Sequence, residues 1–526
     1  MFNMSKMTTD SPNKTEHQKQ IETLEKQNKE LKALVAWYEE QFRLKKHQQY
    51  GASSEKLSDD QLELPLFNEA EITAVSVEEV EESSIEKKQK KSPRKTYADT
   101  VPVETVSYTL PEEEQGCLSC GNDMHVMKKE TRRELQIIPA QVKIIQHERE
   151  VYACRNCEQT NISTPIVQAP MPNPVYPKSM ASPSAIAYVL IQKYMASVPL
   201  YRQEKQFEQL GVTLSRQTLS NWILYVANTW VDPLVQHMKQ TLLNQEVLHA
   251  DETTVQVLQE KERAPTSTSY MWLYRTGRAG PKCVLFDYQT TRASKHPKRY
   301  LQGFKGKLHV DGYKGYEGLS GVTLSGCWAH VRRKFDQAQK AAPPKQGGQL
   351  TLAEQALKKM GALYKIEKDI ASKSFEERLK IRQEQSIPLV EAYFTWLKTI
   401  KPQVLPKSKL GEAIQYALNQ QKKLEQPFED GRLDIDNNAA ERSIKPFVIG
   451  RKNWLFSNSS KGAKSSASIY SLLETAKENN LNVFHYFIYL FKTLPNIDME
   501  DSNQLQKLVP WSTDLPESCY LANHKE

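Results

Sequence analysis

The chain has 526 residues, room for three or four domains, and 39% of them are hydrophobic, enough for sizeable cores. Lys and Arg outnumber Asp and Glu by 71 to 63, and the formal charge of +8 leans toward polyanionic partners such as nucleic acid. The longest apolar stretches, such as Phe484 to Phe491, fall far short of the ~18 residues a membrane-spanning helix needs, and the polar start lacks the apolar core of a signal peptide, so a cytoplasmic protein that does not enter the membrane is expected.

Residues 15–48 carry apolar side chains at Ile21, Leu24, Leu31, Val35, Tyr38 and Phe42. With Asn28 included, the spacing alternates three and four, which predicts a coiled coil; an Asn at an a position fixes register and favours two strands. The pattern also suits an amphipathic helix packed on its own chain. Residues 49–104 read as a disordered linker, with acidic residues (Glu78 to Glu86) running into basic ones (Lys87 to Lys95) and few large apolar groups to offset ordering entropy.

Residues 105–170 hold Cys117-Leu-Ser-Cys120 and Cys154-Arg-Asn-Cys157, with alternating segments between them. Two such knuckles can bring four thiolates around one structural zinc ion. Within residues 180–232 three helices are expected: one capped by Ser182 or Ser184, one over Leu200 to Leu210 stopped by Gly211, and one begun at Ser215. A helix, a Gly-containing turn and a polar-faced helix is the helix-turn-helix pattern. On that reading Arg216, Gln217, Ser220 and Asn221 face the DNA groove, while Leu219, Trp222 and Ile223 pack inward. A plain helical hairpin has the same pattern.

Residues 240–480 change character. Strands are expected over Val247 to Thr253, Ser269 to Arg275 and Cys283 to Tyr288, a helix over Ala293 to Leu301, then strands at Lys307 to Gly312 and Val322 to Trp328, and a basic helix over Ala329 to Phe335. Three strands, a helix and two further strands is the order of a ribonuclease H-like α/β fold, in which the first and fourth strands are neighbours. Asp251 and Asp311, 60 positions apart, would then meet at one end of the sheet. Carboxylate oxygens suit hard cations such as Mg²⁺ or Mn²⁺, and two ions about 3.5–4 Å apart can serve an in-line displacement at phosphorus. Glu441 is the third candidate, although Asn438 and Glu441 also fit a capping box, and Asp434 and Asp436 are rivals. Residues 345–428 read as an α-helical insertion, and residues 481–526 as a C-terminal tail. Basic residues near these acids, His330, Arg332, Arg333, Arg451 and Lys452, are candidates to hold phosphates.

Taken in order, the two Cys pairs, Pro199-Leu-Tyr-Arg-Gln-Glu204, His249-Ala-Asp-Glu-Thr253, Asp311-Gly-Tyr-Lys-Gly-Tyr316, Cys327-Trp-Ala-His-Val-Arg-Arg-Lys-Phe335, Asp436-Asn-Asn-Ala-Ala-Glu-Arg442, Gly450-Arg-Lys-Asn-Trp454 and Tyr470-Ser-Leu-Leu-Glu-Thr-Ala-Lys477 resemble the catalytic protein of the insertion sequence 66 family of bacterial transposases. The resemblance covers nearly the whole chain beyond the linker. It implies a multidomain α+β protein: an N-terminal zipper, a zinc-binding module (Cys117, Cys120, Cys154, Cys157), a helix-turn-helix and a ribonuclease H-like domain with a DDE triad of Asp251, Asp311 and Glu441 holding Mg²⁺ or Mn²⁺. The expected partners are the DNA of element ends and target, further copies of the chain as a homodimer or higher multimer, and companion proteins of the same element. Two rival functions share these features: a ribonuclease H-like nuclease that cuts without joining, and a DNA-binding regulator that keeps the fold as a scaffold.

Overall fold

The computed structural model describes most of residues 21–43, and residues 141–153, 166–342 and 350–521. Cys117, Cys120, Cys154 and Cys157, the expected linker and residues 343–349 lie outside the described residues. The chain divides into two compact units: residues 1–81 with 231–478, and residues 82–230 with 479–526. No helix among the described residues is long and apolar enough to cross a membrane.

The smaller unit begins with an antiparallel pair, β1 (Val151–Ala153) and β2 (Ile166–Gln168). Helix α1 (Pro183–Tyr194) starts at Ser182, whose hydroxyl accepts the Ala185 N–H at 3.1 Å, with Pro183 in the first turn where no amide donor is needed. Helices α2 (Leu200–Gln209) and α3 (Arg216–Val226) follow, separated by a turn in which Gly211 takes φ +79°, a conformation that ends a helix cheaply only without a Cβ. Ser215 caps α3 through the Thr218 N–H. Leu219, Trp222 and Ile223 are buried, and Arg216, Gln217 and Asn221 are exposed with Ser220 between. The C-terminal segment beyond residue 480 is helical: Val483–Thr493 buries Tyr486, Phe487, Leu490 and Phe491, and packs on α1.

The larger unit is built on a mixed sheet. Its strands are β3 (Val247–Gln259), β4 (Thr268–Thr276), β5 (Val284–Gln289), β6 (Gly306–Val310) and β7 (Val322–Gly326), in spatial order β5-β4-β3-β6-β7. The first three are antiparallel; β6 and β7 run parallel to β3. A short β8 (Ser457–Ser459) pairs with the far end of β3. Strand β3 does not end at the acid, as the sequence suggested, but continues to Gln259, because β4 offers pairing partners as far as Gln256 and Val255 and Val257 are buried.

Helix α4 (Asp232–Leu243) precedes the sheet, and α5 (Lys295–Tyr300) links β5 to β6. After β7 comes α6 (Trp328–Ala341), and then the insertion: α7 (Leu352–Asp369), α8 (Phe375–Ile381), α9 (Ile387–Ile400), α10 (Lys409–Asn419) and α11 (Gln421–Glu425). The insertion and α6 share one apolar core around Trp328, Phe335, Tyr393, Phe394 and Leu397. Capping boxes at Thr351 and Ser374 start α7 and α8.

Two long helices close the unit, α12 (Asn438–Trp454) and α13 (Ser460–Glu478). Helix α13 lies along the outer edge of β5. Its Ser471 hydroxyl accepts the Phe286 N–H at 2.7 Å, and Thr475 accepts the Val284 N–H at 3.0 Å while donating to the Val284 carbonyl at 2.9 Å. Small hydroxyl residues here let the helix approach a strand edge and satisfy its unpaired groups, which would otherwise invite another strand.

Candidate active site

Strand pairing decides which side chains meet. Beta pairing between β3 and β6 matches Val247 with Lys307, Leu248 with Leu308 and His249 with His309. Continued two residues past the last pair, the same register sets Asp251 against Asp311, which directly follows the end of β6. Side chains alternate across a strand, which puts His249, Asp251, His309 and Asp311 on one face. The two imidazoles stack there, with centroids 5.1 Å apart and planes 10° apart. Burial lowers the pKa of His249 and drives that of His309 well below its usual value, so both rings are neutral at neutral pH.

Glu441, in the first turn of α12, comes close enough to Asp251 for their charges to interact. Asn437, buried at the start of that helix, holds it: its carboxamide oxygen is 2.9 Å from His249 Nδ1, its amide group donates to the Ala250 carbonyl at 2.9 Å, and its backbone N–H donates to Cys327 Sγ at 3.1 Å. Arg275, opposite His249 on β4, donates to the Ala439 carbonyl, the Ser443 hydroxyl and the Glu478 carboxylate. The expected capping box at Asn438 is absent: Asn437 is the cap residue, no side chain caps the helix, and Asn438 bonds to Asp436 instead. Glu441 is therefore not occupied with its own helix.

The acids repel one another. Burial raises the Asp251 pKa well above the usual carboxylate range, and the charges of Glu252, Glu441 and Asp311 push it further. Among the described residues, Asp251 and Asp311 each accept only a local backbone amide, from Glu252 and Tyr313. Glu441 Oε2 accepts from Arg333 at 3.3 Å, whereas Oε1 is buried without a hydrogen-bond partner. Clustered carboxylates with an unpartnered buried oxygen fit a bound divalent cation, which would supply the missing charge and the missing partner.

The other candidates divide. His330 Nδ1 lies 3.7 Å from Glu441 Oε1, and Arg333 touches Glu441. Arg332 lies over the Tyr364 ring at 5.6 Å. Arg451 is spent on β3, donating to Thr253 and Thr254, so it ties α12 to the strand bearing Asp251. Lys452 lies at the other end of α12 from Glu441, beside the β3–β4 hairpin. Of the rival acids, Asp434 pairs with Arg278, and Asp436, raised by burial to about 6, accepts from Asn438. Arg216, Gln217, Ser220 and Asn221 belong to the smaller unit, where Gln217 donates to Asn221 at 3.0 Å.

Several residues escaped the sequence reading. Glu252 faces the opposite side from Asp251 and is almost fully buried, held by Arg292 and by the Tyr316 hydroxyl at 2.5 Å. Arg292 stacks over Tyr313, 3.8 Å from its centroid. This cluster anchors the Asp311–Tyr316 loop to β3. The signal was present in the tyrosines of Asp311-Gly-Tyr-Lys-Gly-Tyr316, but their partner Arg292 lies far away in sequence.

Comparison with known proteins accords with this architecture. Residues 178–465, more than half of the chain, match the Transposase IS66 family, which has a DDE-type catalytic domain. The class is thus an enzyme, a DDE-type transposase. Residues 114–158 match the zinc-finger binding domain of transposase IS66, 37–106 the Transposase C of IS166 homeodomain, and 471–511 the IS66 C-terminal element. Two uncharacterized proteins of Sinorhizobium fredii are similar along most of their length: y4hP, 30% identical over 86% of this chain and 84% of its own, and y4qI, 28% identical over 88% and 86%. The chain belongs to the IS66 family of transposases. Membership implies DNA transposition, a divalent metal at the DDE domain and zinc at the finger, and the zipper hints at multimers.

Proposed function

We propose that the chain binds the terminal inverted repeats of an insertion sequence and catalyses both strand cleavage and strand transfer, in a ribonuclease H-like domain whose metal ligands are Asp251, Asp311 and Glu441. One observation carries the reading: Asp251 on β3 and Asp311 at the end of the neighbouring parallel strand lie close enough to Glu441 for the three charges to interact, and the buried Oε1 of Glu441 lacks a hydrogen-bond partner among the described residues. The strand order β5-β4-β3-β6-β7 supports the fold assignment.

Metal ions held by these acids supply Lewis-acid stabilisation to the attacking and leaving oxygens when bound. The chain's own residues do the rest. Asn437 and Arg275 fix the helix that presents Glu441. Arg333 orients its carboxylate, and Arg332, Arg333, His330 and Lys452 face DNA phosphates. Arg216, Gln217, Ser220 and Asn221 on α3 read the element end, with the zinc module of Cys117, Cys120, Cys154 and Cys157 assisting. Water hydrolyses a phosphodiester at the element end, and the freed 3′-hydroxyl attacks a target phosphodiester in line, releasing a 3′-hydroxyl there. The chains act as a dimer or higher multimer joined through the N-terminal helix, with companion proteins of the element.

The test is a cleavage-and-joining assay on the element's end DNA with Mg²⁺ or Mn²⁺. Wild type nicks and joins, while Asp311→Asn and Glu441→Gln still bind DNA but lose more than about 100-fold in both steps. A Glu441→Gln variant with wild-type rates would move the third ligand to Asp436. Cleavage without joining favours a nuclease, and binding alone under both metals favours a regulator.

A further inference from the structure

We propose that Cys327, His330 and Glu441 form a second metal site, one for a thiolate-seeking divalent cation of the zinc type, which overlaps the carboxylate triad at Glu441. One donor atom from each residue lies within 4.8 Å of the other two. Cys327 and His330 stand three residues apart across the first turn of α6, so one helix turn presents both. Glu441 comes from the facing helix α12.

Two of the three donors are already poised. His330 Nδ1 and Glu441 Oε1 are buried, and neither has a hydrogen-bond partner among the described residues. Their separation of 3.7 Å is too long for a hydrogen bond. It is close to the ~3.4 Å between two ligands placed tetrahedrally about 2.0–2.1 Å from one ion. Cys327 is the residue from which α6 begins, and its thiol, pushed up to about 12 chiefly by burial, gives up its proton only to a bound cation. Its sulfur also accepts the Asn437 N–H, a bond that strengthens when the thiol loses its proton to a metal. One sulfur, one nitrogen and one oxygen suit zinc better than magnesium, which prefers oxygen alone. Three protein donors leave a fourth position open to water or to a DNA oxygen.

The position of Glu441 gives the site a consequence. An ion held by Cys327 and His330 draws Glu441 Oε1 away from Asp251 and Asp311, so zinc opposes magnesium-supported chemistry. Occupancy of the site stands on the three donors; its effect on cleavage rests on the reading of Glu441 as a catalytic ligand.

The experiment uses the full chain equilibrated in zinc buffer, dialysed, and assayed for bound zinc by atomic emission. Cys327→Ser and His330→Ala each lose about one zinc per chain relative to wild type. A Cys117→Ser, Cys120→Ser variant loses its own equivalent independently, so the finger does not mask the difference. Because Cys327 is fully buried and its replacement can impair folding, the partly exposed His330 supplies the second arm. Equal zinc in wild type and in folded His330→Ala overturns the site. In the cleavage assay, zinc added over Mg²⁺ lowers the wild-type rate at least about tenfold, and Cys327→Ser blunts that inhibition; zinc that binds without slowing cleavage overturns the sharing of Glu441. If no cleavage occurs even without zinc, the transposase reading fails while the zinc count still decides the site.

Discussion

Asn437 stands 2.9 Å from Nδ1 of His249, and this contact joins the helix that carries Glu441 to the strand that carries Asp251. The amide group of Asn437 is committed to the Ala250 carbonyl, so its oxygen faces the imidazole and His249 must carry its proton on Nδ1. A single buried side chain therefore sets both a histidine tautomer and the approach of a helix.

Replacing Asn437 by Ala leaves the Ala250 carbonyl and the His249 N–H buried and unpaired. At 1–3 kcal/mol for each orphaned group, a loss of about 2–6 kcal/mol is expected. Thermal melts should show a clear drop in Tm, and end-DNA cleavage should fall while DNA binding persists. A variant with an unchanged Tm would mean that water or a rearranged side chain replaces both contacts.

The burial of Asp251, reinforced by the acids around it, sets the sign of a second prediction. Its pKa is raised in the folded protein, so the protonated form is favoured there. Stability is therefore greatest below the pKa of an unfolded aspartate and is eroded as pH rises through the folded value. At neutral pH and without divalent metal, Asp251→Asn should melt higher than wild type by a few degrees, consistent with about 1 kcal/mol. Mg²⁺ or Mn²⁺ should raise the wild-type Tm and leave the variant's nearly unmoved. Equal metal-induced shifts in the two proteins would separate Asp251 from the metal.

The stacked His249 and His309 give the opposite pH dependence. Both are held neutral by burial, with pKa values depressed on folding. Their contribution is complete above the unfolded histidine value near 6.5 and is lost as pH falls below it, because the unfolded chain takes up protons that the folded one refuses. Melts between pH 7.5 and about 5 should show the wild type losing stability, and His309→Asn should narrow that loss. A Tm independent of pH over that window would mean that the pair admits a proton without cost.

Much of this sheet was legible in the sequence because its signals are local. Tyr270 to Arg275 and Val284 to Tyr288 are rich in β-branched and aromatic residues, and Asp251 and Asp311 each stand four positions after the paired Val247 and Lys307. What escaped depends on distance along the chain. The extent of β3 past Asp251 depends on β4, and a capping box is a sound local reading of Asn438 and Glu441 until Asn437 is seen turned toward His249. Arg275 looked like an ordinary strand residue, since its partners Ala439, Ser443 and Glu478 lie more than 160 positions later. Cys327 and His330 were conspicuous within a motif, yet nothing local tells that Glu441 closes on them.

The insertion between α6 and α12 also carries a consequence for synthesis of the protein. Asp311 emerges from the ribosome 130 residues before Glu441 (441 − 311), and the core that seats α6 is completed by helices made in between. Domains fold as the chain lengthens. A product truncated within the insertion would thus carry the exposed face of α3 and both aspartates, but not the third acid. If α3 reads DNA and Glu441 completes the metal site as proposed, such fragments would occupy DNA without cutting it and compete with the intact chain, and the order of elements would hold back the chemistry until translation is nearly finished.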